Sequence, residues 1–214
     1  GEGELRRGFR QVFPYLITHL LAQRDHFVLH GGAVERDGQA VLVLGGSGSG
    51  KSTIAVSARR GGWRVLSDDL AVVRGGDSGP EVIGIPKPVV APAEVVRVSG
   101  LPGRSVPGDP RGRWEVLDES LAPPWCPVAT TLVSAHGTNR DGELQPLTSE
   151  QLMGWLLFSF LSARDRGRLQ RFLPVAASVT RLGGWELRHG DDPSARVANV
   201  EDVLRGLGVR GWSG

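Results

Sequence analysis

Nine consecutive residues, Gly45-Gly46-Ser47-Gly48-Ser49-Gly50-Lys51-Ser52-Thr53, restrict this chain more than any other stretch. Through Ser52 they fit the pattern G-x-x-x-x-G-K-[ST] without a mismatch. The glycines at 45, 46, 48 and 50 let successive backbone N–H groups turn inward. A Cβ there would obstruct both the dihedrals and the approach of a phosphate. Lys51 brings positive charge to the β- and γ-phosphates, and Ser52 offers a hydroxyl to Mg²⁺. A helix beginning at Ser52 adds unpaired N–H groups and its N-terminal partial charge.

The flanks supply the rest of such a unit. Gln39-Ala40-Val41-Leu42-Val43-Leu44 is a short apolar run ending in the loop, which predicts a buried strand. Ser52 to Arg60 can form a helix, with Gly61-Gly62 placed to end it. Strand, glycine loop and helix in that order predict a nucleoside triphosphate site, with Gly45 to Thr53 as its binding residues. The expected fold class is α/β.

Composition sets what can surround that unit. Of 214 residues, 40% are hydrophobic and 22% charged, which suits a globular chain and one domain over 1–214. The net charge is +2 and the pI about 9.2. No dense basic block is present, so nothing calls for nucleic acid. A lone cysteine, Cys126, leaves no internal disulfide framework and fits a reducing cytosol. The most apolar stretch, Trp155 to Leu161, falls far short of the roughly 20 residues that span a bilayer. The N-terminus shows no charged-then-apolar leader. A cytoplasmic protein with no membrane partner is expected.

Around the loop the chain reads as follows. Apolar residues at helical spacing, from Phe9 and Val12 to Leu20 and Leu21, predict an N-terminal helix over 5–23, kinked or restarted at Pro14. A nucleotide-binding core is expected over 25–90. In it, Phe27 to Glu35 reads as a strand carrying His30, and Arg36-Asp37-Gly38 as a tight turn, so a hairpin delivers the loop. After the loop helix, Trp63 to Leu66 reads as a strand, followed by Ser67-Asp68-Asp69 and the apolar Leu70 to Val73. An acid at a strand end beside the loop suits a Mg²⁺ ligand. Two adjacent acids can divide the work, one on the metal and one accepting a hydroxyl proton.

Residues 99–113 are rich in Gly and Pro and predict a mobile loop, with Arg104, Arg111 and Arg113 able to meet phosphates or an acidic partner. A C-terminal part over 128–207 starts with a strand, Val128 to His136. Thr148 and Gln151 form a capping box before an apolar helix running to Ser162. An arginine-dressed helix follows, around Leu169, Phe172 and Leu173. Val179 to Leu187 suggests a strand, Asp191-Asp192 beside Pro193 a turn, and Val200 to Leu207 a terminal helix capped by Asn199.

Three segments together resemble the HPr serine kinase family: Leu29-His30-Gly31-Gly32-Ala33-Val34, Gly48 to Thr53, and Leu66-Ser67-Asp68-Asp69-Leu70. They match that family in order and spacing over about residues 25–90. The resemblance implies a P-loop nucleotide-binding fold akin to phosphoenolpyruvate carboxykinase, with a β-rich mixed sheet and flanking helices. It also implies transfer of a phosphoryl group from ATP, with Mg²⁺, to a serine hydroxyl. Carried over, Asp68 is the base toward that hydroxyl, oriented by His30. Asp69 and Ser52 hold Mg²⁺, and Lys51 binds phosphate. Relatives often assemble as homo-oligomers.

The chain leaves little room for the family's separate N-terminal domain. It looks like the shorter relatives of biosynthetic gene neighbourhoods, some of which phosphorylate a serine of a ribosomal precursor peptide, as in lasso peptide tailoring. The implied partner is a serine-containing peptide or protein. Two other readings stay open: a small-molecule kinase with the same loop chemistry, and a non-catalytic module in which nucleotide binding gates a partner.

Overall fold

The computed structural model describes residues 16–85, 87–116, 125–136, 142–190 and 192–207. The described part of a first helix, α1 (16–22), leads into strands β1 (Phe27–His30), β2 (Gly32–Arg36) and β3 (Gln39–Leu44). Helix α2 (Lys51–Arg60) follows, then β4 (Arg64–Ser67), β5 (Leu70–Gly76) and β6 (Gly79–Gly84). Next come β7 (Val90–Pro92), α3 (Ala93–Ser99), β8 (Gly103–Ser105) and β9 (Arg113–Val116). The rest comprises β10 (Cys126–His136), β11 (Glu143–Pro146), α4 (Ser149–Ser159), α5 (Arg166–Arg181), β12 (Gly184–His189) and α6 (Pro193–Gly206).

The alternation of side chains along β3 decides the layers. Every residue of β3 after Gln39 is buried, as expected of a strand covered on both faces. Ala40, Leu42 and Leu44 face one core, with Leu152 and Leu156 of α4 and Phe172, Ala176 and Val179 of α5. Val41 and Val43 face the other, with Ile54 and Ala58 of α2 and Val200 and Leu204 of α6. Period two along the strand thus sorts one apolar run into two cores. The architecture is α/β, a mixed nine-stranded sheet with helices on both faces.

In that sheet β3 pairs with β10 in parallel and with β2 antiparallel, and β10 pairs in parallel with β12. Strands β1, β5 and β6 pair antiparallel in that spatial order, and β6 meets β10 at Cys126 and Pro127. A separate small sheet, β7-β9-β8, packs with α3 against α2 and α6 through Val89, Ala91, Val95, Val96 and Val116. Between this small sheet and the end of β3 lies the glycine loop. No described helix is long and apolar enough to cross a membrane.

The structure departs from the sequence reading in several places. Phe27 to Glu35 is two strands, because the chain breaks at Gly31 and β1 joins β5 while β2 joins β3 and β4. Gly31 N–H donates to the Asp69 carbonyl (2.9 Å), and a Cβ on Gly31 would sit 2.8 Å from the Val43 carbonyl oxygen. The turn at Asp37-Gly38 does join two strands of a hairpin, both residues with positive φ. The Gly/Pro stretch expected as a loop over 99–113 contains β8 and the first residue of β9.

Val179 and Thr180, suggestive of a strand, belong to α5. Val179 continues the buried stripe of Phe172 and Ala176 at helical spacing, which outweighs β-branched propensity. The last helix starts earlier than predicted. Asp192 caps it, accepting from Ser194 N–H (3.1 Å) and Ala195 N–H (3.3 Å), with Pro193 in the first turn. The Thr148–Gln151 capping box forms as read. Of the predicted N-terminal helix, residues 5–15 lie outside the described part.

Candidate functional site

The loop's shape follows from its glycines. Gly45 has φ 144° and Gly50 φ 107°, where an L side chain is strained. A Cβ on Gly45 would lie 2.5 Å from the Ser134 carbonyl oxygen, and one on Gly50 3.1 Å from Cδ2 of His189. Gly50 caps α2 without a side-chain hydrogen bond, and no acid sits in the first turn. The helix therefore presents its N–H groups and positive end to the cleft in front of the loop.

Beneath the loop, two strand ends hold it in place. Ser134 of β10 donates its hydroxyl proton to the Ser49 carbonyl (2.6 Å), and His189 of β12 hydrogen-bonds the same hydroxyl through Nε2 (3.1 Å). Both side chains are buried. Sequence reasoning missed them: a lone Ser and a lone His in strands carry no local signal. Only the parallel pairing of β3, β10 and β12 brings their ends to one place.

Lys51 is buried at the first position of α2 and donates to the carbonyls of Gly45 and Gly46, both at 2.8 Å. Burial lowers its pKa, and the charges of Asp69 and Asp68 act the other way. Ser52 donates to Oδ2 of Asp68 (3.2 Å). Thr53 is buried under the loop, while Ser47 and Gly48 stand at its outer edge and line the cleft.

The acids sit in the connection between β4 and β5. There the Ser67 hydroxyl oxygen accepts from the N–H groups of Asp69 (3.3 Å) and Leu70 (3.1 Å), forming a tight turn. The turn sends the two carboxylates to different surroundings. Asp68 is buried. Its Oδ1 has no hydrogen-bond partner among the described residues, with the Lys87 ammonium 3.8 Å away. Burial pushes its carboxyl above the ordinary range and the charge of Asp69 adds to this, while Lys87, the Val90 N–H and the Ser52 hydroxyl pull it back. Asp69 is half-exposed, 3.3 Å from His30 Nδ1 and 2.6 Å from Lys87 Nζ. The His30 hydrogen bond, followed by Lys87, holds its carboxyl well below the usual carboxylate range.

This pairing differs from the one implied by the resemblance. His30 meets Asp69, where Asp68 was expected, and Ser52 meets Asp68, where Asp69 was expected as its fellow metal ligand. The cause is the break at Gly31: its N–H binds the Asp69 carbonyl, which keeps the end of β1 beside Asp69.

Loop, α2, acids and His30 border one cleft of about 390 Å³, which Lys87, Val90, Pro92, Arg111, Arg113 and Arg196 of α6 also line. Arg113 pairs with Asp109 (2.6 Å), and Arg196 donates to the Gly190 carbonyl. Arg104 instead pairs with Glu115 away from the cleft. Lys87 carries no local sequence signal, since a lysine between Pro86 and Pro88 has the pattern of a chain break. A larger cleft, about 790 Å³, lies between the β5–β6 hairpin and α5. Its Arg74 and Arg171 are already paired with Glu81 (2.8 Å) and Asp25 (2.9 Å), so size does not make it the chemical centre.

The donor set by the loop suits Mg²⁺. A hydroxyl and carboxylates are hard oxygen donors, and the buried Asp68 Oδ1 has no hydrogen-bond partner among the described residues. No group of three or more His, Cys, Asp or Glu among the described residues could hold a metal alone. That fits an ion held by one or two carboxylates together with substrate phosphates. Family models and curated proteins gave no match to this chain, so its chemistry is read from the site.

Proposed function

We propose that the chain is an ATP- and Mg²⁺-dependent kinase of the HPr serine kinase-like type, transferring the γ-phosphoryl group to a serine hydroxyl of a peptide or protein. The observation that carries the reading is the convergence on one cleft of the loop lysine, the Ser52–Asp68 contact and the Asp69–His30 pair. In this reading the loop N–H groups and Lys51 bind the β- and γ-phosphates. Ser52 and Asp68 are the residues that would hold Mg²⁺, which supplies neutralisation of phosphate charge.

Asp69 is the carboxylate an acceptor can reach, being half-exposed at the cleft. Held below the usual carboxylate range by His30 and Lys87, it is ionised near neutral pH but a weak base. It therefore orients the hydroxyl and takes the proton late in the transfer, while His30 fixes the carboxylate's orientation. In the transfer, the serine oxygen forms a bond to the γ-phosphorus and the bond to the β,γ-bridging oxygen breaks. The bridging oxygen leaves with its electron pair on ADP, and the serine proton passes to Asp69. Catalysis is mainly positioning and charge neutralisation.

The test is incubation with ATP, Mg²⁺ and a pool of serine-containing peptides, read by intact mass spectrometry. A gain of about 80 Da on a peptide, the mass of one phosphoryl group, is expected. It should vanish in Asp69→Asn while ATP binding survives. Transfer by Asp69→Asn at the wild-type rate would remove the base assignment. A second reading, phosphorylation of a small anionic compound, is favoured by Arg111 and Arg113 at the cleft wall. ADP release stimulated by anionic metabolites and by no peptide would select it.

A further inference from the structure

Two adjacent carboxylates, one of them buried, need positive charge nearby if both are to ionise. Lys51 is turned toward the loop carbonyls, and of the two acids the His30 ring contacts Asp69. The group that spans the pair is Lys87, 2.6 Å from Asp69 Oδ2 and 3.8 Å from Asp68 Oδ1, a buried oxygen with no hydrogen-bond partner among the described residues. Lys87 comes from the connection between β6 and β7, and its side chain is 40% exposed. Its ammonium rests on a flexible stem with solvent beside it, so it can leave without unpacking a core.

We propose that Lys87 is a built-in counter-cation that holds the position between Asp68 and Asp69 against free divalent metal, so that metal enters only together with nucleotide. A divalent ion on Asp68 and Ser52 would meet the ammonium within a few ångströms, and bare metal brings nothing to offset that repulsion. A metal–nucleotide complex brings phosphate charge that draws both cations. The nucleotide half of this inference rests on the kinase reading; the competition between Lys87 and metal does not.

The experiment titrates the full chain with Mn²⁺, following the signal of free Mn²⁺ by electron paramagnetic resonance. Without nucleotide, Lys87→Ala is expected to bind Mn²⁺ about tenfold or more tightly than wild type. Lys87→Arg, which keeps the charge, should stay as weak as wild type. Adding Asp68→Asn to Lys87→Ala should abolish the gain, locating it at the acid pair. Equal Mn²⁺ affinity in wild type and a folded Lys87→Ala overturns the proposal, as does equal tightening by Lys87→Arg. A separate arm adds ADP to wild type. Absence of ADP-dependent Mn²⁺ binding there counts against the nucleotide reading and leaves the free-metal comparison to decide Lys87.

Discussion

Replacing Asp68 by Asn should make the protein more stable near neutral pH, without metal or nucleotide, while Asp69→Asn should make it less stable. The Asp68 side chain is 5% exposed, and burial is the main cause of its raised pKa. The Lys87 ammonium is 3.8 Å from it on a side chain 40% exposed, so solvent screens their attraction. Asn keeps an oxygen for the Ser52 hydroxyl and removes the buried charge.

The pH dependence has a definite sign. A carboxyl whose pKa is higher folded than unfolded binds its proton more tightly in the native state. Stability then falls as pH rises from the ordinary value of 3.8 through the folded value, and the cost is complete above it. Relief of such a functional-site cost is worth about 0.5–2 kcal/mol, and a chain of this size gains about 2–4 °C in Tm per kcal/mol. The gain from Asp68→Asn should fade toward about pH 4.

Asp69 runs the other way. His30 and Lys87 lower its pKa, so its stabilisation is present above the unfolded value and lost as pH falls through the folded one. With its side chain 39% exposed, screening leaves roughly 0.5–1 kcal/mol. Thermal unfolding of both variants in a chelator, over a pH series, measures both signs. An Asp68→Asn protein less stable than wild type near neutral pH would refute the reasoning.

Ser134→Ala removes the hydroxyl that joins the Ser49 carbonyl to His189, and should cost about 1–3 kcal/mol in denaturant unfolding. The loosened loop should also bind ATP more weakly, which calorimetry would register. Asp192→Ala removes the cap of α6 and should cost about 1 kcal/mol; an unchanged denaturation midpoint would contradict the cap assignment.

The parts of the site that were legible in the sequence are those written locally. The glycine loop, the strand before it, the helix after it and the acid pair all lie within a short span, and each has a spacing that its chemistry demands. The Thr148 capping box is equally local. What was not legible depends on pairing between distant segments. His189 and Ser134 reach the loop only because β12 and β10 lie beside β3. Lys87 reaches the acids only because the fold brings the connection between β6 and β7 beside the one between β4 and β5. The exchange of partners between Asp68 and Asp69 turns on a backbone bond at Gly31. Residue types and spacing named the acids without saying which one faces His30.

The claim on which the transfer reading stands is that the loop takes a nucleoside triphosphate. Titration of the full chain with ATP and Mg²⁺ by calorimetry, beside Lys51→Ala, tests it directly. Removing a charged donor to phosphate is worth about 1.5–3 kcal/mol, so Lys51→Ala should weaken ATP binding roughly 10- to 100-fold. Saturable ATP binding that weakens by that factor is the predicted result. No binding to wild type, or equal binding by both proteins, would contradict the account.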